Sequence, residues 1–237
     1  MTNAPDILFE DNHLIIVNKS CSDLVQGDRT GDATLADRVR EYLKTAYAKP
    51  GNVFLGIPHR LDRPVSGIVI YAKTSKALSR MTELFRIGEV TKVYWAVVCG
   101  APPGKQGELV HFLSKNQARN KSYAVEEGGR NAKEARLKYR LLGASERYYL
   151  VEVLLETGRH HQIRVQLSSA GSVIKGDLKY GAPRSNPDGG ISLHARFVSF
   201  LHPVTKEPVQ ITAPPPDDSL WNFFAGAYGD GIPDPFC

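Results

Sequence analysis

The chain is poor in cysteine. Its 237 residues hold three, Cys21, Cys99 and Cys237, far apart and without a Cys-x-x-Cys pair. An odd, scattered set argues against a disulfide scaffold or a zinc ribbon and fits reduced thiols in a cytoplasmic protein. No apolar run approaches the roughly 18 residues a membrane helix needs. Met1 to Asp6 lacks a basic stretch followed by an apolar one, so no signal peptide is expected. Internal repeats, low-complexity blocks and a clear linker are also missing. Such a length is enough to bury a core without covalent staples.

The net charge is +5. Its location is more informative than its size. Between Lys115 and Arg147 nine Lys/Arg face four Asp/Glu, which accounts for the whole excess. A local basic surface suits a polyanion, although a solvated face of mixed charge explains the same count.

Local patterns indicate mixed secondary structure. Ile7–Phe9 and Leu14–Val17 read as strands around an Asp11-Asn12 turn. Thr34–Ala48 has a helical apolar face, with Asp32 or Thr34 as cap and Pro50-Gly51 closing it. Ile68–Ala72 reads as a buried strand, and a second helix runs from Ser75 to Gly88. Beyond Thr91 strands dominate: Lys92–Val98, Glu134–Leu141, Tyr148–Leu155, Ser192–Leu201 and Pro208–Ile211. His160–Ala170 and Asp217–Ala225 read as helices, and Tyr228–Cys237 as a loosely held tail. Without strict βαβ alternation, α+β is favoured over a doubly wound sheet. In Glu134–Leu141, alternation puts Arg136, Lys138 and Arg140 on one exposed face.

The chemistry concentrates in His59-Arg60-Leu61-Asp62-Arg63-Pro64-Val65-Ser66-Gly67. One carboxylate lies between two arginines in a polar loop, directly before a buried strand that can hold it rigid. Nearby positive charge favours the ionised form, which makes Asp62 a candidate nucleophile or base. A lone Asp before Pro64 could equally cap a turn.

The wider block resembles the catalytic loop of RluA-type RNA pseudouridine synthases, in which the Asp of H-R-L-D-x-x-x-S-G is catalytic. Gly158-Arg159-His160-His161-Gln162-Ile163-Arg164 resembles that family's G-R-x-H-Q-I-R signature. Lys92-Val93-Tyr94-Trp95-Ala96-Val97-Val98 resembles its K-x-Y-x-A-x-V strand. The resemblance implies isomerisation of uridine to pseudouridine in ribosomal or transfer RNA. It also implies a single catalytic domain over 1–237, with a core at about 7–212 and a C-terminal helix and tail at 217–237. That domain is a large bent mixed sheet with flanking helices and a central RNA cleft, without an N-terminal S4-type module. Asp62 would be catalytic, Arg164 its ion-pair partner and Tyr94 a platform for the flipped base. Arg60 and Arg63 would bind phosphate or support Asp62, with Arg60 a candidate to fill the space the base leaves. His59, Arg136, Lys138 and Arg140 complete the expected RNA-contacting set.

The isomerisation transfers no electrons and adds no atoms, so no cofactor or metal is expected. The histidine spacings fit no standard ligand set. Gly176-Asp177-Leu178-Lys179-Tyr180-Gly181 also matches a family block and reads as a structural turn, Asp177 bonding to backbone. Pro64-Val65, Gln166 and Lys19-Ser20-Cys21 depart from the common pattern and bear on subgroup rather than on chemistry. The partner is expected to be RNA, the protein a monomer with no membrane association and no obligate protein partner. A non-catalytic RNA-binding or RNA-folding factor of the same fold is the competing reading. A glycosidase using Asp62 is weaker, because a second nearby carboxylate is needed and neither signature supplies one.

Overall fold

A computed structural model describes residues 4–27 and 31–228. The expected loose tail, Cys237 included, lies outside them, apart from Tyr228.

Each early element forms for a local reason. Strands β1 (Ile7–Glu10) and β2 (Leu14–Lys19) join through a turn in which the Asp11 carboxylate accepts the His13 and Leu14 N–H groups. Helix α1 (Leu35–Ala46) opens on a reciprocal cap, in which the Thr34 hydroxyl accepts the Asp37 N–H and Asp37 accepts the Thr34 N–H. Strand β3 (Ser66–Ala72) is buried throughout. Helix α2 (Ser75–Ile87) starts on the Thr74 hydroxyl and ends where Gly88 turns left-handed at φ 82°.

Strands β4 (Thr91–Val98), β5 (Gln106–Asn116), β6 (Lys121–Val125), β7 (Lys133–Ala144) and β8 (Tyr149–Leu155) follow. Helix α3 (Gln162–Ser169), strands β9 (Leu193–Leu201) and β10 (Pro208–Thr212), and helix α4 (Ser219–Tyr228) complete the set. Helix α3 starts two residues later than the periodicity suggests, because His161 sits at φ 55° and turns the chain just before it. Helix α4 is shifted likewise. Asp218 accepts the Leu220 and Trp221 N–H groups, fixing the start beyond Asp217, and the helix continues to Tyr228.

All ten strands form one mixed sheet, ordered β1-β2-β3-β9-β4-β8-β7-β5-β6, with β10 also paired to β9. The expected α+β class holds. Every pairing is antiparallel except β3 with β9, a short parallel contact at the centre of the sheet. Gly67 makes that contact possible. It sits at φ 110°, and a Cβ there would collide with the Ala195 backbone. The Ser66 hydroxyl and His194 Nδ1 are 2.9 Å apart alongside.

Helices cover both faces of both halves. In the β2–β3 half, α2 packs against Ile16, Ile68 and Ile70, while α1 packs against Ile15, Val17 and Tyr71. In the other half, Ile163 and Leu167 of α3 pack on Val151, Val153 and Tyr139, while Trp221 and Phe224 of α4 pack on Trp95, Val97 and Leu150. Leu61 contacts three of these clusters and Tyr94 two. The loop carrying Asp62 is therefore anchored where the halves meet.

Candidate active site

Three distant segments converge above the central strands. The loop before β3 brings Asp62, β4 brings Tyr94, and α3 brings Arg164. They line one cavity of about 100 Å³, together with Arg60, Leu61, Val65, Leu155, Arg159, His161 and Leu193. Five aliphatic side chains and the Tyr94 ring share its wall with six polar or charged ones, a mixture suited to a base with flat faces and hydrogen-bonding edges.

Asp62 is about one-third exposed, and its Oδ2 accepts a hydrogen bond from Arg164 Nη1 at 3.0 Å. Arg164 is itself buried. Its Nε and Nη2 both donate to the Asp177 carboxylate, at 2.7 and 2.8 Å. Burial works against the guanidinium's charge, but Asp177 and then Asp62 more than restore it, raising its pKa. One face of the fork is fixed on a buried carboxylate and the remaining nitrogen is presented to Asp62. The Tyr180 ring lies 5.1 Å from the same guanidinium.

The Gly176–Gly181 turn therefore differs from its expected role. Asp177 does not spend its carboxylate on backbone; it orients Arg164. Tyr180 extends the support. Its hydroxyl accepts the Ser122 N–H at 3.0 Å and lies 2.8 Å from His161 Nδ1. The same hydroxyl donates to the Ser122 carbonyl at 3.2 Å, and His161 Nε2 lies 3.4 Å from Asp62 Oδ2. Burial, then the Arg164 charge, pushes the His161 pKa down to about 2, so the ring stays neutral.

Lys19 holds the loop from beneath. It is buried, and its Nζ donates to the carbonyls of Ser20, Arg63 and Val65 at 2.8, 3.0 and 2.7 Å. Burial lowers its pKa to about 8. Neither Lys19 nor Asp177 stands out as functional in the sequence, because their partners are remote along the chain. A lysine closing a strand that opens on an apolar run, as Lys19 does after Leu14–Val17, is the one available signal.

Tyr94 is half-buried. Burial, then the Asp62 charge, raises the pKa of its phenol, so it remains protonated while its ring lines the cavity.

Other expected residues lie elsewhere. Arg60 is exposed on the cavity rim. Arg63 turns away, donating to the Ser22 carbonyl at 3.1 Å and pairing with Asp32 at 3.0 Å. The counter-charge beside Asp62 is thus Arg164, not its neighbours in sequence. His59 is not placed for RNA. Its Nε2 accepts the Ile70 N–H at 2.9 Å, its ring stacks on Phe85 at 4.6 Å, and burial lowers its pKa to about 3. It ties the loop to β3.

Arg136, Lys138 and Arg140 do share a face, but strand register sets it opposite to Tyr94. Tyr94 pairs with Val153, which pairs with Tyr139, so Tyr139 shares the Tyr94 face and its neighbours point the other way. Each of the three is also neutralised. Arg136 pairs with Glu134 and Glu108, Lys138 with Glu156 at 3.1 Å, and Arg140 with buried Glu152 at 2.7 Å. The expectation of an RNA-facing stripe on β7 is therefore revised.

Comparison with known proteins identifies the family. Residues 13–169 match the family model described as RNA pseudouridylate synthase. The chain belongs to that family. It is 31% identical over 223 residues to the ribosomal large subunit pseudouridine synthase D of Zymomonas mobilis, covering 90% of this chain and 70% of that protein. It is 34% identical over 221 residues to an uncharacterized RNA pseudouridine synthase of Synechocystis, covering 90% and 67%. Among solved structures, the human RNA pseudouridylate synthase domain containing 4 superposes with a TM-score of 0.76. It covers 93% of this chain and 92% of that one, at 24% identity.

Proposed function

We propose that this chain converts uridine to pseudouridine in RNA, with Asp62 as the catalytic residue. The observation that carries the reading is the convergence of the Asp62 carboxylate, the Arg164 guanidinium and the Tyr94 ring on one cavity. The reaction breaks the bond from ribose to N1 and remakes it at C5. A positioned carboxylate serves attack on the sugar, addition to the ring, or proton removal equally. The target nucleoside must leave its stack to reach a recessed carboxylate. Tyr94 offers the extruded base a ring face, and Arg60 at the rim is placed either to hold phosphate or to enter the gap left behind.

Family membership and site geometry both favour catalysis over passive binding, because a binding factor has no need of a buried Asp177–Arg164–Asp62 relay. In this reading the protein acts as a monomer without an obligate protein partner. Three relatives are named for the large ribosomal subunit, in Zymomonas mobilis, Xylella fastidiosa and Xanthomonas campestris, which favours ribosomal over transfer RNA. Among the described residues no helix is long and apolar enough to cross a membrane, in keeping with a cytoplasmic RNA modifier. Mapping pseudouridine in ribosomal and transfer RNA with and without the gene tests the reading. Loss at discrete ribosomal uridines is expected, and identical maps overturn it.

A further inference from the structure

The structure locates free positive charge beside the site, in a different place from the β7 stripe. Strand register carries the Tyr94 face outward through Tyr139, Leu137 and Ala135 of β7 to Lys133, and across to Leu113 and Lys115 of β5. Lys115 pairs with Ser122 of β6, whose hydroxyl lies 2.8 Å from His160 Nδ1. The hairpin is docked on the site through Ser122 and Tyr180. From the turn that holds Asp177, exposed Lys179 reaches across, its Nζ donating to the Asn120 carbonyl at 3.2 Å.

Lys115, Lys133 and Lys179 are exposed, and among the described residues none forms an ion pair. Lys115 and Lys179 act on the site electrostatically: after burial, their charges help depress the pKa of both His160 and His161. His161 in turn stands 3.4 Å from Asp62. Within the cation-rich stretch, Arg136, Lys138 and Arg140 are thus neutralised on the far face, while Lys115 and Lys133 lie on the near one with Lys179 beside them.

The geometry points to Lys115, Lys133 and Lys179 as the contact surface for the RNA backbone next to the target uridine. This rests on the reading of the chain as an RNA pseudouridine synthase. Flexible ammonium groups bind phosphate as point charges and confer affinity without sequence preference. Each phosphate contact releases counterions, so the set should leave a signature in the salt dependence of binding.

The test compares two triple variants of the full chain on one uridine-containing stem-loop RNA, by equilibrium titration over a salt series. Lys115→Gln/Lys133→Gln/Lys179→Gln should flatten the slope of log affinity against log salt by about 2, at about 0.7 to 0.9 per lost phosphate contact. Affinity at low salt should fall at least about tenfold, with little change in the melting temperature. Arg136→Gln/Lys138→Gln/Arg140→Gln should leave the slope unaltered. An unchanged slope in the first variant, or an equal loss in the second, overturns the assignment. Asp62→Asn, measured in parallel, should bind like wild type and form no pseudouridine. If it still forms pseudouridine, the catalytic reading fails, while the two lysine and arginine variants still decide where the RNA backbone binds.

Discussion

Replacing Arg164 with Lys probes the relay most sharply, because it keeps the charge and removes the fork. Arg164 makes three charged contacts, two to Asp177 and one to Asp62. An ammonium on a shorter stem cannot span both carboxylates. Asp177 is 1% exposed and Asp62 about one-third exposed, so leaving Asp177 unpaired costs far more. The lysine should therefore settle on Asp177 and abandon Asp62. Loss of a hydrogen bond to a charged group is worth about 1.5–3 kcal/mol. If that contact orients Asp62 in the transition state, turnover should fall roughly 10- to 150-fold. Stability should drop by about 1–3 kcal/mol, short of unfolding. Single-turnover conversion at saturating RNA, with thermal melts and RNA affinity as controls, separates the effects. Unchanged turnover would refute the relay, and so would a turnover loss no larger than the unfolded fraction explains.

Tyr94→Ala should reduce kcat/KM by about 1–3 kcal/mol equivalent, whereas Tyr94→Phe, which keeps the ring face, should lose less than about tenfold. Equal losses would remove the stacking role. Lys19 should impose an alkaline limit. Its pKa is about 8, below that of a free lysine, so as pH rises through 8 the ammonium becomes an amine with two protons for three carbonyls. The same shift adds to folding stability from about pH 8 upward, because the unfolded chain then binds more protons. Activity should thus decline through pH 8 while the fold does not. An unchanged alkaline limb in Lys19→Met would assign the limit elsewhere. Gly67→Ala should cost on the order of 3 kcal/mol or more, since its left-handed backbone and its contact with Ala195 both reject a Cβ. A melting temperature like that of wild type would contradict this.

What could be read from the sequence was local. Thr34 and Gly88 announce the start of α1 and the end of α2 because their capping groups lie within a turn of the helix. The strand after Asp62 is legible as an apolar run. Strands β5 and β6 are not, because β6 is the edge strand and β5 lies next to it, both largely exposed and without a continuous apolar face. Alternation in β7 correctly shows that Arg136, Lys138 and Arg140 share a side. It cannot say which side covers the site, since that is fixed by pairing through β8 to β4. The motifs identify Asp62 and Arg164, which lie 102 positions apart, only through the family resemblance. The role of their buried supports is hidden for the same reason: Lys19 meets carbonyls 44 and 46 positions away, and Asp177 gains its importance by facing Arg164 in space.

If one carboxylate, oriented by Arg164, performs the isomerisation, removing its charge must stop the chemistry and nothing else. The deciding quantity is pseudouridine content, measured by mass after incubating the target RNA with Asp62→Asn protein that melts and binds RNA like wild type. No pseudouridine above background is expected. Conversion at a rate comparable to wild type would rule out Asp62 as the reacting group.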